Sequence, residues 1–230
     1  MKNKLVAIVA ASVFTLFSTY LFAGSFNVGV TTSVSAISAT GSEAHGNENT
    51  PASVDHTGIL LGSIYAEYEI DGYAIGIEHT PGSADVSEKV RERTETPLSI
   101  TGTAATQSTE VTRKAQAEIE NYYSLYAEVP VAGSLFVRLG MAQIDVNTLE
   151  NLGSNSGSYG NDTIEGLNYG FGVKGTMAFN ENVVYKFLVE RTDFDTLKLT
   201  SSGNSVAGET GVITADLDLA SIKFGLGYKF

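Results

Sequence analysis

The stretch that decides the fold is residues 214–230, which read TADLDLASIKFGLGYKF. From Ala220 to Phe230 its even-numbered positions are apolar, and the odd-numbered positions between them are small or basic. An alternation with a period of two predicts a β-strand. A strand that crosses a membrane needs about 9–11 residues, with apolar side chains toward lipid and polar ones toward a lumen. The stretch therefore predicts a membrane-spanning strand.

The same alternation appears in seven earlier segments, each of which begins on an apolar residue that we expect to face outward: Phe26, Leu60, Tyr73, Ile119, Leu135, Leu167 and Val183. Some are joined by short turns, of which Asp71-Gly72 is a strong hairpin signal. The others are joined by four long polar segments, which we expect to be loops: Thr40–His56, Ser83–Gln116, Asn147–Thr163 and Asp195–Val212. The pattern predicts an all-β fold, a closed antiparallel up-and-down transmembrane β-barrel of about eight strands with short periplasmic turns and long extracellular loops.

A final strand that ends on Tyr228-Lys229-Phe230 resembles the last strand of bacterial outer-membrane barrels. The layout of the chain is similar to the small eight-stranded barrels of the outer-membrane protein A and outer-membrane protein X type. The resemblance implies a place in the outer membrane of a Gram-negative bacterium. It also implies three contacts: with outer-membrane lipid, with lipopolysaccharide, and with the barrel-assembly machinery through the C-terminal strand.

The first residues predict export. Lys2 and Lys4 precede an apolar body, and Ala23-Gly24 offers a small-residue cleavage site. We therefore expect residues 1–23 to be a signal peptide and residues 24–230 to be the barrel domain. A retained membrane anchor is the alternative, although polar residues at 18–20 dilute its apolar end.

Composition limits the classes of function. The formal net charge of −12 argues against nucleic-acid binding. The absence of cysteine excludes disulfides, zinc–thiolate sites and cysteine nucleophiles. A soluble lipocalin-like barrel would show the same periodicity with its apolar face turned inward. A row of aromatic residues beside the short turns favours the membrane version, because such rings prefer the membrane interface. We expect these residues to form one girdle: Phe26, Tyr68, Tyr73, Phe179, Tyr185, Tyr228 and Phe230.

Charged residues fall on the predicted inward faces at similar heights above the short turns. They are Glu67, Glu78, Arg138, Lys174, Lys186 and Lys223. An eight-stranded barrel leaves room inside for side chains and little else. We therefore predict an ion-pair network that closes a polar lumen, and the alternative is a charge-selective pore.

The three histidines fall in or near the first predicted outer loops. Asp55-His56 with nearby serines is compatible with a hydrolase or acyltransferase, and His45, Asp55 and His56 with a metal site, but neither spacing is diagnostic. Solvated loop histidines, a class to which His79 also belongs, explain them better. We expect no catalytic residues, no metal site and no cofactor. The predicted function is structural, or recognition and adhesion through surface loops. A small porin-like channel is the alternative, and a lipid-modifying enzyme is a third.

Overall fold

The computed structural model describes residues 24–45, 48–87, 91–95, 98–101, 104–107, 111–151, 158–202 and 210–230. The expected signal peptide lies outside the described residues. The described residues contain no helix long and apolar enough to cross a membrane. The strands are β1 (Ser25–His45), β2 (Glu48–Ile70), β3 (Tyr73–Asp85), β4 (Arg91–Glu95), β5 (Leu98–Thr101), β6 (Ala104–Gln107), β7 (Val111–Ala132), β8 (Leu135–Asn151), β9 (Asp162–Met177), β10 (Asn180–Phe194), β11 (Leu197–Thr200) and β12 (Gly211–Lys229).

Eight of these strands form a closed antiparallel ring in the order β1-β2-β3-β7-β8-β9-β10-β12, and β12 pairs back onto β1. The closing ladder runs from Asn27 opposite Lys229 to His45 opposite Gly211. Strand β4 extends the β3–β7 hairpin and β11 pairs with the outer part of β12, whereas β5 and β6 form a separate two-stranded sheet. The predicted eight-stranded up-and-down barrel is confirmed.

The short turns lie at one end of the barrel. Asp71 and Gly72 both have positive φ, 50° and 84°, as a type I′ hairpin turn requires. Gly133, with a φ of 56°, lies in the turn between β7 and β8. The last short turn, at residues 178–179, joins β9, which ends at Met177, to β10, which begins at Asn180.

At the other end, the predicted long loops are partly strand. The segment Thr40–His56 was expected to be a loop, but β1 continues to His45 and β2 begins at Glu48. Likewise β7 begins at Val111 and β11 lies within the last predicted loop. Gly, Ser and Asn dilute the alternation in these segments, yet the antiparallel ladders continue because backbone hydrogen bonds do not require apolar side chains.

The outward and inward faces of the barrel wall exchange polarity along the strands. Next to the short turns the outward side chains are apolar and exposed, with one example from each strand of the ring: Val30, Ile64, Ile77, Leu125, Leu139, Phe171, Phe187 and Leu226. We call this part the membrane half. On β12 it ends at Ala220, and beyond that residue Asp216 and Asp218 face outward while Leu217 and Leu219 are buried inside. We call the part beyond this level the outer half.

The lumen of the outer half is filled by apolar side chains. Its buried members are Ile37, Ala84, Val86, Ile119, Tyr122, Ala142, Ile144, Val146, Ile164, Leu197, Leu199, Leu217 and Leu219. We call this cluster the outer core. The expectation of a polar lumen therefore holds for the membrane half and is wrong for the outer half, where the barrel is built like a soluble protein, apolar inside and polar outside.

Ile119 corrects a facing predicted from periodicity. The alternation of β7 placed it outward, but it is 6% exposed and belongs to the outer core. Asn121 has a φ of 52°, and the β7–β8 register shifts between Glu120 and Tyr123. Two residues of β7 oppose one residue of β8 there, which is a β-bulge. The extra residue reverses the facing of the strand beyond it.

Candidate functional site: a charged layer inside the barrel

The lumen of the membrane half contains a layer of buried charges, which we call the charged layer. Its buried carboxylates belong to Glu67, Glu78, Glu128 and Glu190, all of which are at most 4% exposed. Its bases are Arg138, Lys174, Lys186 and Lys223. Seven of the eight barrel strands supply a member, because the alternation of each strand turns every second side chain into the lumen.

Arg138 lies at the centre of this layer. One terminal nitrogen donates to Glu78 at 2.9 Å and to Glu190 at 3.3 Å, and the other donates to Glu128 at 2.8 Å. The guanidinium group also lies 3.8 Å from the centroid of the Tyr126 ring. Arginine suits this place because its planar group donates in several fixed directions and stacks on aromatic rings.

The lysines on the β9–β10 side pair with a second group of acids. Lys186 donates to Glu67 and, at 2.9 Å, to Glu128. Lys174 is nearer the short turns and donates to Glu69 at 2.9 Å and to Glu128 at 3.3 Å. Glu128 therefore joins the two lysines to each other and, through its contact with Arg138, to the centre of the layer.

Lys223 completes the network on the β12 side. Its ammonium group lies 2.9 Å from Glu78 and 2.7 Å from Glu190. Both of these acids also contact Arg138, so the charges alternate around a closed path. Four bases face five acids when Glu69 is included, and each of these acids lies within 3.3 Å of a base. Such pairing is what makes charge tolerable in a buried place.

The structure brings together all six charged residues that the sequence singled out: Glu67, Glu78, Arg138, Lys174, Lys186 and Lys223. Sequence reasoning missed Glu69, Glu128 and Glu190 as members. The alternation did place all three of them on inward faces. The sequence did not predict the level of these residues along the barrel axis. Strand tilt brings residues of distant strands to a common level, which counting from the turns does not show.

The histidines do not form a common site. Nδ1 of His56 lies 2.7 Å from the backbone oxygen of Asp85, whereas Asp55 accepts a hydrogen bond from Ser38 on the outer face. His79 faces outward, and its ring stacks on Tyr123 with centroids 4.2 Å apart. His45 belongs to β1, but its side chain lies outside what the structure describes. Within the described ranges, no group of three or more His, Asp or Glu side chains is arranged to hold a metal ion.

The seven aromatic residues of the predicted girdle all lie at or beside the short-turn end: Phe26, Tyr68, Tyr73, Phe179, Tyr185, Tyr228 and Phe230. Phe179 and Phe230 are 80% and 75% exposed, and the rings of Tyr228 and Phe230 meet edge to face at 5.1 Å. At the opposite limit of the membrane half, Tyr169 faces outward and donates to Asp193 at 3.0 Å. An aromatic ring with its hydroxyl turned toward a charge is typical of a membrane–water interface.

The arrangement defines the class of protein. A soluble barrel buries its apolar face, whereas the membrane half exposes an apolar wall and encloses charge. That distribution is the one required of a β-barrel that spans a lipid bilayer. The chain is a small eight-stranded β-barrel protein of the Gram-negative outer membrane, and the lipocalin-like alternative is excluded.

Comparisons with known proteins add no function. No protein-family model matches the chain, and no curated protein is detectably similar to it. Among solved structures, the outer-membrane protein OprG from Pseudomonas aeruginosa is 15% identical and has a TM-score of 0.46, with 90% of this chain and 96% of that chain covered. Ail, the attachment invasion locus protein of Yersinia pestis, is 15% identical with a TM-score of 0.36, covering 88% and 99%. The outer-membrane protein AlkL is 12% identical with a TM-score of 0.44, covering 90% of each chain.

Proposed function

We propose that this protein is a non-conducting outer-membrane barrel that acts in recognition or adhesion through its outer half. The observation that carries the proposal is that side chains fill the lumen at two levels. In addition, the barrel wall continues beyond the membrane half. The charged layer occupies the membrane half, and the outer core occupies the level above it. A passive solute channel would need an open path through both levels.

The outer half is large enough to be a binding surface. On β1 the apolar outward row ends at Ala36, and the strand continues to His45. At about 3.3 Å per residue, nine further residues extend the strand by roughly 30 Å. With a tilt of about 40°, the wall projects roughly 20 Å above the membrane. Because the outer core packs this part like a soluble domain, the described strands of the outer half present a fixed surface.

The outward face of the outer half is acidic. Its outward acids include Asp55, Asp85, Glu118, Glu120, Asp145, Asp193, Asp216 and Asp218. Arg191 and Lys198 are the outward bases among the outer-half side chains that the structure describes. An excess of one charge attracts partners of the opposite sign and raises their rate of association. We therefore expect a partner with a basic surface.

The test compares adherence of bacteria that produce the intact barrel with that of bacteria producing two variants, on the same epithelial monolayer. In the first variant a short Gly/Ser linker replaces residues 88–115. The barrel should tolerate this change because the backbone of Val86 already bonds to Ala117 at 2.9 Å and closes the hairpin there. In the second variant Asp55, Asp145 and Asp216 become Asn, which keeps the shape of each side chain and one of its two acceptor oxygens while removing its charge.

Both variants should adhere less, and added salt should reduce the wild-type advantage over the charge variant. The matched control is Asp71→Asn with Glu181→Gln, which removes exposed acids from the short-turn end and should leave adherence unchanged. A heat-dependent shift in gel mobility shows that each variant is folded. Adherence of both folded variants equal to wild type would refute a recognition role for the outer half.

We also propose that the assembly machinery recognises the β12 end and that outer-membrane lipid and lipopolysaccharide surround the wall. The exposed rings of Tyr228 and Phe230 support the first point, since they form one patch at the last turn of the barrel. Phe230→Ala should lower the amount of folded barrel in the outer membrane. Unchanged accumulation would argue against recognition through this residue.

A further inference from the structure

The outer wall of the membrane half contains a groove that encloses about 440 Å³. Its floor is apolar and is formed by Val28, Ala66, Ile77, Leu125 and Met141, which face outward on five neighbouring strands. Ala66 lies opposite both Val28 and Ile77, and its short side chain leaves the wall recessed at this point. We call this feature the wall groove.

The end of the wall groove that is nearer the outer half is polar. His79, Gln143 and Glu165 line it, and the strand register places Gln143 directly opposite both Tyr123 and Glu165. The stacked rings of His79 and Tyr123 form one side. A molecule that fits this groove is apolar along most of its length and polar at one end, so it is an amphiphile of the surrounding membrane.

The charge of the polar end selects the head group. Glu165 is partly buried, and neither its side chain nor that of Gln143 has a hydrogen-bond or ion-pair partner in the described part of the chain. No lysine or arginine lines the groove. His79, the other titratable group of the polar end, lies three strands away from Glu165. A carboxylate with no lysine or arginine beside it repels a purely anionic head group and attracts an ammonium group.

The geometry points to a binding site for one ethanolamine phospholipid. Its acyl chain lies along the floor, and its ammonium group lies against Glu165. The carboxamide of Gln143 can donate to the phosphate oxygens, since an amide both donates and accepts. This site goes beyond the recognition function proposed for the outer half, and it rests only on the position of the groove in the lipid-facing wall.

The experiment uses the folded barrel in micelles that contain equal amounts of phosphatidylethanolamine and phosphatidylglycerol, with bound lipids counted by native mass spectrometry. Wild type should retain one phosphatidylethanolamine, at about fivefold excess over phosphatidylglycerol, a ratio typical of one exposed ion pair of good geometry. Glu165→Gln should keep a bound lipid and lose the preference. Ala66→Phe fills the groove and should abolish retention.

The matched control is Ala220→Phe, which places the same ring on the outward face of β12, away from the wall groove. This variant should retain the lipid as wild type does. The heat-dependent mobility shift confirms folding, and the Glu165→Gln result stands even if Ala66→Phe fails to fold. Equal retention of both lipids by wild type, equal loss in both phenylalanine variants, or replacement of the phospholipid by added lipopolysaccharide would overturn the proposal.

Discussion

Leu219 and Ser221 occupy consecutive inward positions of β12, and the lumen changes from apolar to polar between them. Both side chains are 6% exposed. Leu219 packs in the outer core, whereas Ser221 bonds to Ser35 at 2.8 Å, at the limit of the polar lumen. On the outward face the opposite change falls at the same level, between Asp218 and Ala220. One level of the wall therefore marks the outer limit of the membrane on both faces.

This limit predicts how the cost of a lipid-facing charge varies along β12. The apolar row from Ala220 to Tyr228 spans roughly 20 Å of height at the usual strand rise and tilt, with Phe224 near its middle. Phe224→Arg should cost about 2–4 kcal/mol of folding free energy, and Ala220→Arg about 0–1 kcal/mol. Denaturant titrations in lipid vesicles measure both. Equal costs would mean that the membrane limit is not at Ala220.

The charged layer predicts that removing one of its buried bases destabilises the barrel more than removing an exposed base does. Arg138→Ala leaves Glu78, Glu128 and Glu190 short of compensating charge and should destabilise the barrel by about 3–5 kcal/mol. Replacing Glu128 by Gln in the same chain should recover part of this loss. The remaining lysines, and any water that enters the lumen, would reduce both the destabilisation and the recovery.

Arg191→Ala is the control for this prediction. Arg191 also pairs with two acids, Asp193 and Asp218, but half of its side chain is exposed. An exposed pair contributes about 0–1 kcal/mol. The same titrations in vesicles compare the two arginines, and a similar cost for both would show that the charged layer is solvated rather than buried.

The sequence predicted the ring, the short turns and the facing of most strands because alternation persists wherever one wall meets lipid. It did not predict the bulge at Asn121, since a single residue in a left-handed conformation leaves no periodic trace. The facing of Ile119 was therefore wrong. The extent of β1 and β2 was missed because Gly and Ser carry no facing preference, although the apolar side chains of Ile37 and Val54 face inward there.

The candidate site was partly predictable for the same reason. Which side chains enter the lumen follows from parity, but which of them meet depends on strand tilt and on packing. Gly227 illustrates the difference. From the sequence, a lumen-facing glycine predicts a site that tolerates a small side chain. In the structure a Cβ at Gly227 would collide with the hydroxyl of Tyr65 and the side-chain oxygen of Asn27, both of which are buried.

Gly227→Ala should therefore be destabilising, by about 1–3 kcal/mol, as for other overpacked interiors. Gly62→Ala is the matched control, because Gly62 faces lipid and its nearest neighbour to a new Cβ is the backbone of Thr31 at 4.0 Å. That change should be neutral or stabilising by up to about 1 kcal/mol. The unfolding midpoint of Gly227→Ala should lie below that of wild type, whereas the midpoint of Gly62→Ala, measured side by side, should equal or exceed that of wild type. A harmless Gly227→Ala would show that the lumen has free space there.

Two neighbouring acids of the outer half should have pKa values shifted in opposite directions. The hydrogen bond from Arg191 lowers the pKa of Asp193, whereas burial, together with its neighbour Asp193, raises the pKa of Asp218. Asp193 thus stabilises the fold above its unfolded pKa and loses this contribution as the pH falls. Asp218 stabilises the fold below its unfolded pKa, and that contribution is lost as the pH rises through its folded pKa. Carboxyl carbon shifts measured by NMR should show Asp218 titrating at the higher pH. Asp193→Asn should bring the pKa of Asp218 down, and an unchanged value would contradict their coupling.

The last prediction is that the purified barrel shows no steady ion conductance in a planar bilayer. An ion would have to pass Arg138, Lys186 and Lys223, each of which is held by at least two carboxylates, and then the apolar outer core. Displacing any of these bases leaves buried charge unpaired, which is costly, so the closed arrangement dominates. Changing Lys174 and Lys186 to Glu should disrupt the charged layer and lower stability, yet the outer core should still block current. Conductance is recorded for wild type and for the variant at the same protein concentration. A stable open channel in wild type, with an ion selectivity that inverts in the variant, would replace the closed barrel by a charge-selective pore.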